Sequence, residues 1–238
     1  MSKSNRLQRI IVFTDGSCSR NGASNAVGGI GIHFPNGELK DLSRIFHSGI
    51  CTNQRTELYA ILTAIRYIKK YLGIDHYNIC IKTDSQYSID CVTKWAYGWV
   101  KNGWITKEDK PVANKEFIEL LHKYYEKYNI EFEHVEAHTN GRDKNSIGNR
   151  EADKLATRAT SKALKDKQKK YNKSSGSKSS AYNSRHTRSS QTSQTNYKNY
   201  RNQNQKESKR TTKTTKKKQT SFPKSTDFII ELIKTTKN

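Results

Sequence analysis

Ile10-Ile11-Val12-Phe13-Thr14-Asp15-Gly16 decides the reading of this chain. Four consecutive apolar residues fit a strand buried on both faces, as in a sheet covered by helices. Thr14-Asp15-Gly16 is a turn signal, so Asp15 is expected to close that strand. Working outward, residues 27–34 place Gly28, Gly29 and Gly31 among apolar neighbours, a strand with close backbone approach. Pro35-Asn36-Gly37 marks a turn, and residues 38–49 read as a third strand with a polar face. The chain therefore opens with a three-stranded meander.

Helical periodicity follows. Leu58, Ile61, Leu62, Ile65, Ile68 and Leu72 form one stripe on a helix over 53–72. Residues 78–83 are a second β-branched run, ending at Asp84. Ser85 can cap a short helix carrying Ile89, Val92 and Trp95, followed by a Lys-, Gly- and Trp-rich segment over 97–110. Asn114 can cap a helix with Phe117, Leu120, Leu121, Tyr124 and Tyr128 inside. Residues 130–136 alternate as a strand, and Ala152, Leu155, Ala156, Ala159 and Ala163 mark a final helix. The order βββ-α-β-α-α-β-α implies an α/β fold, a mixed sheet with helices on its faces.

Composition sets limits. The 238 residues carry a net charge of +22 and are 32% hydrophobic, below the roughly 45–50% apolar share of globular chains. Residues 1–160 hold 23 Lys/Arg against 18 Asp/Glu, whereas residues 161–238 hold 21 against 4. One ordinary domain, over 8–163, is expected before a basic low-complexity tail over 164–238. Ser, Thr, Asn, Gln and Lys dominate from Asp166, so 166–221 are expected to be disordered. Residues 227–234 are a brief apolar island, either a docking helix or a frayed end. Apolar runs of four or five residues exclude a membrane-spanning helix. The first nine residues lack the apolar core of a secretory signal, so an intracellular protein, cytoplasmic or nuclear, is expected. Cys18, Cys51, Cys80 and Cys91 form no C-x-x-C pair and read as free thiols in a reducing compartment.

Four acids carry the chemistry. Asp15 and Asp84 close the two apolar strands, and ligands gather at the carboxyl ends of such strands. Glu57 lies in the first turn of the 53–72 helix, and Asp153 beside the apolar face of the last one. Clustered carboxylates persist when a cation neutralises them. All-oxygen ligation favours Mg²⁺ or Mn²⁺, and two such ions can activate water and hold the leaving oxygen of a phosphodiester. Spacing alone leaves each acid open as a helix-start charge or an N-cap.

The motifs are more specific. Thr14-Asp15-Gly16-Ser17-Cys18, Thr52-Asn53-Gln54-Arg55-Thr56-Glu57-Leu58, Thr83-Asp84-Ser85-Gln86-Tyr87, Gly98-Trp99-Val100-Lys101-Asn102-Gly103-Trp104 and Gly148-Asn149-Arg150-Glu151-Ala152-Asp153 occur in that order. Together they resemble the type 1 ribonuclease H family, most of all its cellular eukaryotic members. The likeness begins near Arg9, as in a catalytic domain without the N-terminal hybrid-binding domain.

The resemblance implies a five-stranded sheet of order 3-2-1-4-5 and a metal-dependent endonuclease. Such an enzyme hydrolyses the RNA strand of RNA–DNA hybrids with two Mg²⁺ ions, Mn²⁺ being an alternative, and leaves 5′-phosphate and 3′-hydroxyl ends. By that likeness Asp15 bridges both ions, Glu57 and Asp84 serve the leaving-group side, Asp153 serves the water side, and His138 handles protons or product release. Asn21, Asn53 and Gln54 match positions contacting the RNA strand, and Thr52 and Asn114 match the DNA-phosphate pocket. Trp99 and Trp104 match the basic protrusion on the DNA side; without the family both read as core anchors. Ile50 departs from the arginine often found in the phosphate pocket, which bears on the pocket's strength and not on the chemistry.

The tail can bind nucleic-acid phosphates without reading sequence. A monomer is the default. A binding protein with an inactive nuclease fold and a basic nucleic-acid coat are the competing readings. The complete acid set argues against the first and is unexplained by the second.

Overall fold

The computed structural model describes residues 7–137 and 141–176; His138 and the chain beyond Gly176 lie outside the described residues. Five strands form one mixed sheet of order β3-β2-β1-β4-β5. They are β1 (Gln8–Ser19), β2 (Val27–His33), β3 (Leu42–Ile45), β4 (Tyr77–Thr83) and β5 (Ile130–His134). β1 pairs antiparallel with β2 and parallel with β4, and β4 pairs parallel with β5. The helices are α1 (Asn53–Tyr71), α2 (Gln86–Asp90), α3 (Ala96–Lys101), α4 (Lys115–Lys127) and α5 (Lys144–Gly176). No described helix is long and apolar enough to cross a membrane.

β1 does not stop at Phe13. It runs on through Asp15, which faces Gly31 on β2, to Ser19. The pairing with β4 ends at Phe13, but the antiparallel ladder with β2 keeps the strand extended. Asp15-Gly16 is therefore mid-strand and not a turn. β3 is shorter than the expected 38–49, because the Asp41 side chain accepts from the backbone N–H of Phe34 (2.9 Å) and from His33 Nδ1 (2.8 Å). That carboxylate takes the donor a longer ladder would have used.

α1 begins as its sequence requires. Thr52 Oγ1 accepts from the N–H of Arg55, and Leu58, Ile61, Leu62, Ile65 and Ile68 are fully buried. α1 and α5 cover opposite faces of the sheet, because adjacent residues on β2 meet different helices. A Cβ on Gly28 would meet Thr56 of α1, and one on Gly29 would meet Ala159 of α5. At Gly31 it would lie 2.0 Å from the Ala152 carbonyl oxygen and 2.6 Å from the Ala156 nitrogen. Small residues on both sides thus bring helix and sheet backbones together. A satellite cluster of Phe13, Val135 and Ala152 packs at the same end.

Two segments depart from the sequence reading. α2 continues through a π-helical stretch, Cys91–Trp95, into α3. Ile89 and Val92 are buried as expected, but the wider turn carries Trp95 off their stripe, leaving it 45% exposed. α5 runs past Ala163, and past the expected onset of disorder at Asp166, to Gly176. Its extension, residues 164–176, is rich in Lys and includes Leu164 and Gln168, good helix formers that elongate a helix already held by its buried half. Lys167 Nζ also donates to the Asn25 carbonyl (2.8 Å).

The close approach at Gly31 is testable. Gly31→Ala should cost about 2–3 kcal/mol, because backbone atoms must separate. Gly98→Ala, whose new methyl meets nothing within 4 Å, should be neutral or stabilise α3 by about 0.5–1 kcal/mol. Urea unfolding of both variants checks the contrast.

Candidate active site

Asp15 comes from the middle of β1, Asp84 directly follows β4, and Glu57 is the fifth residue of α1, just past its first turn. Gly16 explains why they meet. A Cβ there would lie 2.3 Å from the Glu57 nitrogen and 2.4 Å from the Thr56 carbonyl carbon. Only a glycine lets the start of α1 settle on β1 beside Asp15. One carboxylate oxygen from each of Asp15, Glu57 and Asp84 lies within 4.8 Å of the other two.

Burial makes the crowding costly. Asp15 is 7% exposed. Burial first, then the charges of Asp84 and Asp153, push its carboxyl up to about 7. Burial, then Asp15 and Asp84, hold Glu57 well above its ordinary value. Glu57 Oε2 is buried with no hydrogen-bond partner. A buried, unpartnered acceptor among crowded carboxylates is the donor set of a hard cation, so the residues present fit Mg²⁺ or Mn²⁺.

Asp153 stands outside this triad. Its Oδ1 accepts from Thr157 Oγ1 (3.3 Å), and its charge still reaches Asp15. Asn149, one helical turn earlier on α5, is a positioning residue that the sequence reading quoted in a motif without assigning. It is 3% exposed, and its Nδ2 donates to Asp84 Oδ2 (3.1 Å), fixing that carboxylate. A polar residue on the apolar side of α5 was the available signal.

The other candidates gather along one rim. Asn53 and Gln54 are exposed at the start of α1. Asn21 Oδ1 accepts from the Asn53 N–H (3.0 Å), joining the β1–β2 turn to that helix start. Asn114 precedes α4 as expected, but in the left-handed region (φ 60°) and with no capping bond. Its side chain accepts from Arg55 Nη1 (3.4 Å) and donates to the Tyr87 hydroxyl (3.1 Å). Arg55 in turn pairs with Glu116 (2.6 Å) and donates to the Ser48 carbonyl (2.9 Å). Thr52 and Asn114 are thus connected through Arg55. Ile50 is 71% exposed beside them.

The tryptophans divide. Trp104 is buried, its ring 6.3 Å from Trp99 and under Lys115 Nζ at 5.5 Å, so it anchors its loop. Trp99 is half-buried, and Trp95, 5.8 Å from it, presents the open face. Nearby, Lys82 Nζ meets Glu133 Oε1 and Asn145 Oδ1, each at 2.7 Å, with the lysine buried and the carboxylate partly exposed.

The sequence matches the RNase H family model over residues 7–161. The chain belongs to the RNase H family. It is 53% identical over 148 residues to a probable ribonuclease H of Acanthamoeba polyphaga mimivirus, covering 62% of this chain and 65% of that one. It is 37% identical over 147 residues to Ribonuclease H1 of Homo sapiens, covering 62% of this chain and 48% of that one. The chain thus spans between about half and two thirds of these relatives' lengths. Among solved structures, a foamy viral protease-reverse transcriptase in complex with RNA/DNA hybrid shares the fold. Its TM-score is 0.50 at 21% identity, over 67% of this chain and 21% of that one. The matched region contains all four acids of the motifs, and Asp15, Glu57 and Asp84 are the three that the structure brings together.

A pH dependence follows for the metal-free protein. Asp15 is raised from 3.8 to about 7 by folding, so between those values the native state holds a proton that the unfolded state has lost. Stability contributed by this group is therefore complete below about pH 4 and is lost as pH rises through 7. Asp15→Asn should raise the metal-free melting temperature at pH 8, by about 1–3 kcal/mol of stability, and change little at pH 4. Thermal unfolding in a chelator at both pH values is the check.

Proposed function

We propose that this chain is an endonuclease that hydrolyses the RNA strand of RNA–DNA hybrids inside the cell, as a monomer. The observation that carries the reading is the triad Asp15, Glu57 and Asp84, with the unpartnered Glu57 Oε2 inside it. When bound, two Mg²⁺ or Mn²⁺ ions supply the activated water and neutralise the leaving oxygen. Asp15, Glu57 and Asp84 would hold the divalent charge, and Asp153 would serve the side that activates water. Asn149 fixes the Asp84 carboxylate and so the geometry of attack. The reading gives 5′-phosphate and 3′-hydroxyl ends, with His138 assisting proton movement or release.

Recognition has two sides. The amides of Asn21, Asn53 and Gln54 can both donate to and accept from a 2′-hydroxyl, which distinguishes RNA from DNA. Thr52 and Asn114, braced by Arg55, offer polar groups to a DNA phosphate, and Trp99 offers a face for sugar packing. Trp104 contributes by holding that loop in place.

An end-labelled hybrid with Mg²⁺ tests this beside duplex RNA, duplex DNA and single-stranded RNA. Only the RNA of the hybrid should be cut, and Asp15→Asn should abolish cutting while remaining folded. Tight hybrid binding without cleavage in Mg²⁺ or Mn²⁺ would instead favour a binding protein on an inactive nuclease fold.

The basic tail serves as a phosphate tether in this reading. Residues 177–238 carry 15 Lys/Arg and 3 Asp/Glu. Each phosphate contact adds about 0.9 to the slope of log K against log salt. Ending the chain after Gly176 should weaken hybrid binding at low salt and flatten that slope by several units. An unchanged slope would remove the tail from recognition.

A further inference from the structure

Cys18 and Cys51 come from β1 and from the segment just before α1, 33 residues apart in sequence, yet their sulfurs lie 3.0 Å apart. A disulfide needs about 2.05 Å, so a closure of about 1 Å suffices. The fold keeps this approach clear. A Cβ on Gly28 would sit 2.6 Å from Cys51 Sγ, so a larger residue there would expel the sulfur. Cys51 also anchors its surroundings, its carbonyl accepting from the Gly22 N–H (3.2 Å). The other two thiols lie elsewhere: Cys80 Sγ faces Glu133 Oε2 at 3.7 Å, and Cys91 is buried in the π-helical stretch after α2.

We propose that Cys18 and Cys51 are an oxidation site, joined reversibly into a disulfide by a peroxide-class oxidant. Cys18 is half-buried and Cys51 buried, so Cys18 meets the oxidant first. Its sulfur attacks hydrogen peroxide, the O–O bond breaks, and a sulfenic acid and one water result. The Cys51 sulfur then attacks that sulfur. The S–O bond breaks, the Cys51 proton leaves with the hydroxide as a second water, and the S–S bond forms. Two thiols lose two electrons and two protons, and the peroxide takes both. An added dithiol reverses the step.

The bond would tie β1, which carries Asp15, to the segment that leads into α1, which carries Glu57. Cys18 lies three residues past Asp15, and Cys51 directly precedes Thr52, the α1 cap. It would close the loop that holds β2 and β3, limiting the unfolded chain more than the native one.

The test uses the full chain treated with stoichiometric hydrogen peroxide, then peptide mapping without reduction. The expected result is one linked Cys18–Cys51 peptide, four free thiols falling to two, and a melting temperature raised by roughly 5–10 °C. Dithiothreitol should restore the starting values. Cys18→Ser and Cys51→Ala, each shown folded by circular dichroism when reduced, should neither lose further thiols to cross-linking nor gain stability. A linked peptide through Cys80 or Cys91, a sulfinic acid at Cys18 without a link, or four unchanged thiols would overturn the proposal.

Discussion

Three carboxylates forced together in a poorly solvated corner constrain everything else here. Like charges at this range repel, and burial removes the water that would screen them. The structure answers within the protein by holding a proton: the carboxyl of Asp15 is raised to about 7. Glu57 is pushed the same way. Left alone, acids on flexible loops would separate. These sit on the central strand, on a long helix just past its first turn and at the end of a second parallel strand, so they cannot.

What holds them is the depth of the packing around β1. Gly16 admits α1 on one face, while Gly29 and Gly31 admit the alanines of α5 on the other. That contact places Asn149 against Asp84 and brings Asp153 within reach of Asp15. The same small residues therefore serve stability and chemistry together. Around this centre, Arg55 braces the rim by reaching Asn114, Glu116 and Ser48. Lys82 ties β4 to β5 and to the start of α5.

Much of this was legible because it depends on local period and on motif residues. The α1 stripe, the order of elements, the sheet order and the meeting of Asp15, Glu57 and Asp84 follow the sequence reading. What escaped depends on partners that sequence spacing does not name. β1 continues past Phe13 because β2 lies alongside it, and β3 is cut short by one carboxylate of Asp41. The π-helical stretch exposes Trp95. α5 outlasts its polar composition because elongation needs good helix formers more than burial. The Asn149–Asp84 bond and the Cys18–Cys51 contact are encounters across the fold, whose partners no local pattern names.

In the proposed reading the carboxylate corner is a divalent-cation site poised by its own protonation. Calorimetric titration of Mg²⁺ into the chelator-treated protein near pH 7, in two buffers of different ionisation enthalpy, tests it most directly. The account predicts binding accompanied by proton release, with both greatly diminished in Asp15→Asn. Saturable binding that releases no protons, or that persists unchanged in Asp15→Asn, would contradict it.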